Sequence, residues 1–287
     1  MKTYPTSRAP HLWDSRNIHS IYTQQFIALV PVLIASLVRF RLDALKLIAG
    51  CLLGAVLAKG LSALFFKRKF QTHLFPALLL ALLFALILPL KISWQVACFG
   101  SWLAVFAGRE LAGGLGASAL NPIAFAGLWV HSLWAHDSHA KLVAGNFFRV
   151  NDFFLNPSPD LLGGASAFAL LISTVLFWIF KMKVFDAGLF FLLGIVFAAP
   201  LQNFDTTLFL NEGIWLVAFF AANEFSSVPS FSVARKVFGF LSGFLSIAIS
   251  AAWSNIFAGI LLMNALALWL DFVLRPKGSH DNLGLVR

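Results

Sequence analysis

Cysteine is almost missing from this chain: Cys51 and Cys98 are the only two in 287 residues. They stand in different apolar runs, with no Cys-x-x-Cys pair and no neighbouring histidine. Each reads as a buried small hydrophobe, and a cysteine set for an iron–sulfur cluster is excluded. Charge is scarce as well. With 11% of residues charged, 60% hydrophobic and a mean hydropathy of +0.85, the chain carries more apolar surface than a soluble core of this length could hide. A Rossmann-type glycine pattern between strand and helix is also lacking, so the chain offers no nucleotide-binding unit with which to oxidise NADH alone. The first ~20 residues are polar, and no cleavable signal peptide is read in them.

What is present is a succession of apolar runs. They fall near residues 23–38, 45–66, 74–90, 94–108, 119–134, 163–180, 187–201, 213–225, 236–251 and 254–274. The expectation is an all-α, polytopic integral membrane protein of about ten transmembrane helices, some broken by glycine-rich segments. A single transmembrane domain over 23–274 would lie between tails 1–22 and 275–287. The runs 94–108 and 213–225 are shorter than the ~17 residues of a straight span, and both carry a glutamate at or near one end.

Net charge is +9, yet the basic residues do not gather with aromatic ones on any soluble domain, which argues against nucleic acid as a partner. They sort by membrane side instead. With the N-terminus inside, ten spans put 14 of the 21 lysines and arginines on the cytoplasmic side and 6 on the other, with Lys59 inside a span. The bias predicts both tails in the cytoplasm. Arg39, Arg41 and Lys46 are the exception, three positive charges on the positive-poor side. His131, His136 and His139 flank Asp137 on the outer side, around the end of the fifth run; no helical face unites them, and they read as a solvated outer loop rather than a metal site.

Three segments interrupt the apolar runs with polar or irregular chain. Gly108 to Pro122 reads GRELAGGLGASALNP, with Arg109 and Glu110 adjacent and Asn121 at the far end. Such backbone survives at membrane depth only under cover of protein or a water-filled cavity, so the segment is either a cytoplasmic turn or a functional re-entrant break. Asn156 to Ser166 reads NPSPDLLGGAS. Its prolines keep the entry extended, Gly163 and Gly164 allow close packing, and Ser166 falls in the first turn of the next helix. Phe219 to Pro229 reads FFAANEFSSVP and carries Glu224. Pro89-Leu90 followed by Glu110, and Pro200-Leu201 followed by Glu224, make a faint internal echo, either chance or a pair of broken helices at a repeat interface. Both acids then approach from the cytoplasmic side. Arg109 and Lys59 are their candidate counter-charges, unless Lys59 snorkels to the inner surface.

Together these segments resemble the RnfD/NqrB family, the flavin-carrying membrane subunits of ion-translocating electron-transport complexes. Gly108-Arg109-Glu110, Gly113-Gly114-Leu115-Gly116 and Asn121-Pro122 are similar to its glycine-rich signature. The family motif Asp-x-x-Ser/Thr-Gly-Ala-Thr/Ser has its last hydroxyl esterified to the phosphate of FMN by an ApbE-type flavin transferase. Asp160, Gly164, Ala165 and Ser166 match it, with Ser166 at the acceptor position; Gly163 stands where a hydroxyl residue is usual, and Ser replaces the commoner Thr. Phe219 to Pro229 resembles a Met-Ala-Thr-Asp-Pro-Val-Thr-Ser-Pro segment, with Glu224 for its Asp and Phe225 for its first proline, and Leu261 to Asp271 resembles the closing helix.

The resemblance implies a bacterial inner-membrane protein that carries electrons through covalent FMN near the outer face. Its partners would be other membrane subunits and flavin or iron–sulfur subunits, with Na+ or H+ translocation coupled to the flow. Arg109, Glu110, Asn121 and Glu224 would form an inner site, serving ions, a second non-covalent flavin such as riboflavin, or a quinone. The residues by themselves leave open a transporter or channel with no redox role, and a purely structural membrane subunit.

Overall fold

The computed structural model describes residues 18–66, 73–114, 120–134, 161–180, 185–202, 212–222, 224, 227–249 and 253–275. Hydrocarbon offers the backbone no hydrogen-bond partner, so apolar runs of this length coil into helices. Among the described residues these are α1 (Ile18–Phe66), α2 (Leu74–Ile87), α3 (Trp94–Val105), α4 (Pro122–Trp134), α5 (Ala167–Ile179), α6 (Phe185–Ala198), α7 (Glu212–Leu216), α8 (Ser232–Ala248) and α9 (Trp253–Val273). No strand occurs among them, only an isolated antiparallel bridge between Pro89 and Leu161.

The longest helix is two arms. Arg41 interrupts α1 with φ 46° and ψ −112°. Before it, Tyr22 lies within electrostatic range of Arg109; after it, Lys59 bonds to the neighbouring Glu110. A straight helix would hold Tyr22 and Lys59 roughly 55 Å apart, so the chain doubles back at Arg41 into antiparallel arms. A loop was expected between the runs 23–38 and 45–66, and one non-helical residue does its work. Each of the ten apolar runs therefore coincides with a helical segment. By length and composition alone, two helices among the described residues, His19–Phe66 and Ile256–Val273, are long and apolar enough to cross a membrane. Leu74–Ile87, Ala167–Ile179 and Phe185–Leu201 are apolar but shorter.

The short segments have irregular ends. α3 runs on as a π turn, Phe106–Glu110, and α7 as another, Val217–Ala221. α2 stops at Ile87 and Leu88 is extended, because Pro89 disfavours helical geometry in the residue before it. The run 163–180 opens as a 3-10 turn, Leu162–Ala165, and becomes α5 only after Ser166.

Contacts sort the segments by end. The carbonyl of Pro76, at the start of α2, accepts from Arg109, and that of Leu88, past its end, accepts from Leu162 N. One end of the bundle thus holds the acids and the other Ser166, roughly 18 Å apart along α2. Two seams of close packing join segments that run parallel. A Cβ on Gly50 or Gly54 would collide with the carbonyl oxygen of Trp94 or Cys98, which sets the second arm of α1 against α3. A Cβ on Gly239 or Gly243 would collide with that of Ala187 or Phe191, which sets α8 against α6. Small residues at such seams let backbones approach to van der Waals contact.

Counting α1 as two segments, the second packs along the fourth toward the acidic end, and the seventh along the ninth away from it. The packing repeats after five segments with its direction inverted. The echo in the sequence pairs α3 with α7, the fourth segment with the eighth, and is not this repeat. The outer surface carries large apolar side chains, among them Leu64, Leu268 and Phe272, each close to four-fifths exposed, a surface suited to lipid rather than water.

Candidate functional site

The acidic end begins with the π turn that closes α3. A π turn holds an extra residue, and here Arg109 and Glu110 are both buried, 2% and 4% exposed. Arg109 turns toward α2 and α7: its Nη1 donates to the Pro76 carbonyl at 3.0 Å and its Nη2 to Glu224 Oε1 at 2.7 Å. Glu110 turns toward α1, accepting from Lys59 Nζ at 3.0 Å and from Ser62 Oγ at 2.6 Å. Neither acid is solvated: Glu110 and Glu224 are both buried and paired. Lys59 is 3% exposed and does not snorkel. Each charge is tolerated because a partner and further hydrogen bonds replace its water.

The network continues beyond the ion pairs. After Glu110 the chain leaves the helix through Gly113 and Gly114, at φ 117° and 100°, a region that glycine enters without steric cost. Ser227 donates through N and Oγ to the Glu224 carbonyl at 3.2 and 3.3 Å. Asn264, on α9, donates to the Ser227 carbonyl and accepts from Asn121 N, both at 3.0 Å. Asn121 caps α4, its Oδ1 accepting from Ile123 N and Ala124 N at 3.0 Å, while its Nδ2 donates to the Ala221 carbonyl. Asn with Pro at the first helical position is a strong helix start, and here the cap also ties α4 to α7. Four residues expected at an inner site, Arg109, Glu110, Asn121 and Glu224, therefore meet in one place. Arg109 Nε and Gln25 Oε1 are buried there and on the adjoining α1 arm with no hydrogen-bond partner among the described residues, so donor and acceptor capacity is left over.

At the opposite end the segment before α5 is buried backbone with its hydrogen bonds made. Leu162 N donates to the Leu88 carbonyl at 2.9 Å, Ser36 Oγ to the Leu162 carbonyl at 2.9 Å, and Arg39 Nη1 to the Ala165 carbonyl at 2.8 Å. Leu162 to Ala165 are buried, and Ser166 is partly exposed. Ser166 stands just before α5 as its cap, at φ −158°, with Oγ accepting from Ala169 N at 3.3 Å. Its proton is not committed to that bond. Gly164 and Ala165 belong to the turn that presents it; Asp160 lies outside the described residues. Gly163, the odd residue of the motif, has a packing cause. A Cβ there would meet Leu216 Cδ1 at 2.5 Å and the Leu86 carbonyl oxygen at 3.0 Å.

The histidine reading needs correction. His131 is 5% exposed within α4, its Nε2 lies 3.3 Å from the Ile87 carbonyl and its ring packs 5.1 Å from that of Phe257. It serves a carbonyl left over where α2 ends; His136, Asp137 and His139 lie outside the described residues. Cys51 is buried and its Sγ reaches the Ala97 carbonyl at 3.5 Å, whereas Cys98 is partly exposed. Sequence reasoning missed Ser62, Ser227, Asn264, Ser36 and Arg39. Ser62 had a signal, since it stands one turn after Lys59 on the same helical face.

A 27% identical relative, matched over 96% of this chain and 97% of its own length, is the D-type subunit of the ion-translocating oxidoreductase complex of Methanosarcina acetivorans. The D-type subunit of the Na(+)-translocating ferredoxin:NAD(+) oxidoreductase complex of Acetobacterium woodii is 26% identical over 85% of this chain and 84% of its own length. Its counterpart in the ion-translocating oxidoreductase complex of Yersinia enterocolitica matches at 31% over 40% of this chain and 33% of its own. The profile of the NQR2, RnfD, RnfE family matches residues 5–279, nearly the whole sequence. The chain belongs to the NQR2, RnfD, RnfE family.

Proposed function

We propose that this protein is the D-type membrane subunit of an ion-translocating oxidoreductase complex, and that it carries electrons through FMN esterified to Ser166. The family membership and the relatives' names support the first part. One observation carries the second: in the GGAS segment, Ser166 alone is left partly exposed, on a turn whose backbone is buried and hydrogen-bonded on three sides. An acceptor hydroxyl needs such access, and a cofactor needs such a rigid mount. FMN would supply the redox chemistry; the chain's own residues anchor it, fix its position and exclude water from the interior. In this reading ten segments cross a bacterial inner membrane as a single domain over 23–274, with both tails cytoplasmic and Ser166 toward the outside, within reach of an ApbE-type transferase. Other membrane subunits and flavin or iron–sulfur subunits supply and remove electrons.

The acidic end is the proposed inner site, for Na+ or H+, a second flavin such as riboflavin, or a quinone. The unpartnered Arg109 Nε and Gln25 Oε1 support it, as polar capacity held in a dry interior without internal use. The decisive test is Ser166→Ala beside Ser166→Thr, each produced with the transferase. Alanine is expected to abolish in-gel flavin fluorescence and threonine to keep it, with membrane insertion unchanged because the lost cap costs about 1 kcal/mol. Fluorescence persisting in the alanine variant would falsify the assignment.

A further inference from the structure

We infer that Asn264 is the positioning residue for Glu224. The inference rests on the reading of the acidic end as an inner site in which Glu224 takes part. Asn264 lies near the middle of α9 and is 3% exposed. A helix interior asks nothing of a side-chain amide, since its backbone groups bond one another, and an amide buried without partners is costly. Asn264 directs both halves of its amide to backbone outside α9: Nδ2 donates to the Ser227 carbonyl and Oδ1 accepts from Asn121 N, each at 3.0 Å. An amide nitrogen only donates and its oxygen only accepts, so a single orientation of the side chain fits both.

The two backbone groups are not arbitrary ones. Glu224 stands midway between Ala221 and Ser227, three residues to either side. Asn121 Nδ2 holds the Ala221 carbonyl, Asn264 Nδ2 holds the Ser227 carbonyl, and the two asparagines are joined through Asn121 N. Ser227 in turn donates through N and Oγ to the carbonyl of Glu224 itself, at 3.2 and 3.3 Å. A displacement of Asn264 therefore reaches the acid through Ser227 alone. Working groups have to be held to within ~0.5 Å, and the Glu224 carboxylate meets Arg109 at 2.7 Å. The anchor is also the right one. α9 contains Ile256–Val273, long and apolar enough to cross a membrane, whereas α7 is five residues and a π turn. A short, irregular element takes its position from a spanning one.

The test uses the assembled complex, as wild type and carrying Asn264→Gln, Glu224→Gln, both together, or Met263→Leu. Glutamine keeps the donor and the acceptor but is one methylene longer, so it still serves both backbone groups while shifting them. A merely structural role would not register that change. Electron transfer is measured per unit of assembled complex, with thermal unfolding of the same samples. Asn264→Gln is expected to unfold close to the wild type and to be slowed about tenfold, within the roughly hundredfold that a ~1 Å misplacement can cost. Added to Glu224→Gln it should bring no further loss, because the group it positions is gone. Met263→Leu, a volume-conserving change at the adjoining residue, should match the wild-type rate. Wild-type turnover in Asn264→Gln, losses that multiply in the double variant, or an equal loss in Met263→Leu overturns the role of Asn264 and leaves the inner site standing. If Asn264→Gln fails to accumulate, Asn264→Ser, which is smaller and cannot overpack, is read in the same cycle with the same outcomes. Normal turnover in Glu224→Gln alone takes Glu224 out of the working site, and this inference with it.

Discussion

At Gly163 a side chain meets both a neighbour that can move and one that cannot. Leu216 Cδ1 is the free end of a leucine, whereas the Leu86 carbonyl at 3.0 Å belongs to the backbone. Gly163→Ser, which restores the usual motif, is expected to cost about 1 to 3 kcal/mol by overpacking, and less in a Leu216→Ala background. A double-mutant cycle on thermal unfolding in detergent measures the difference; additive costs would mean that Leu86, not Leu216, sets the limit. Single residues are also the least evenly legible part of the sequence. Ser166 could be singled out because a motif surrounds it. His131 could not, because its partner is a backbone carbonyl exposed by a proline over forty positions earlier, and nothing local marks such a bond.

Helices were legible because hydrocarbon permits the backbone little else, and all ten apolar runs are helical. Their ends were not. The reversal of α1 rests on Arg41, a residue without the glycine that ordinarily advertises positive φ. Arg41→Gly should therefore leave stability unchanged or raise it by about 1 kcal/mol, read as the unfolding midpoint; a marked loss would show that the arginine side chain holds the turn. The seam of α8 on α6 makes the opposite prediction. Gly243→Leu has no route to relaxation, since the colliding atom is the Phe191 carbonyl, and the variant should fail to accumulate as a monodisperse protein in detergent, while Leu241→Ala, on a partly buried position of the same helix, accumulates normally.

Across the whole molecule the two ends do different things. The ion pairs Lys59–Glu110 and Arg109–Glu224 tie α1, the π turn that closes α3 and the chain just past the π turn of α7 together, over sequence distances at which no spacing rule operates. Their members could be nominated from sequence as charges in need of partners, but the pairing itself could not. Glu224→Gln strands a buried guanidinium and is expected to cost about 3 to 5 kcal/mol, while Arg109→Met with Glu224→Met recovers much of it. Neither should change flavin content, because Ser166 lies at the far end, roughly 18 Å along α2. Thermal unfolding and in-gel fluorescence on the same samples separate the two effects; loss of flavin from a folded Glu224→Gln variant would mean that the ends are coupled. In the assembled complex, Glu110→Gln and Glu224→Gln are expected to slow electron transfer, and normal rates in both would remove the inner-site proposal.

The seams also dictate an order of assembly. Each joins helices that are next but one along the chain, the second arm of α1 with α3 and α6 with α8, so between them a short element must be threaded before the seam can close. Those elements are α2, 14 residues long, and α7, five residues and a π turn. Both are too short to hold a place in lipid unaided. During synthesis each must wait, unsettled, for the following helix to arrive and lock it in. The weakest moments in this protein's biogenesis are therefore the two intervals just before α3 and α8 emerge.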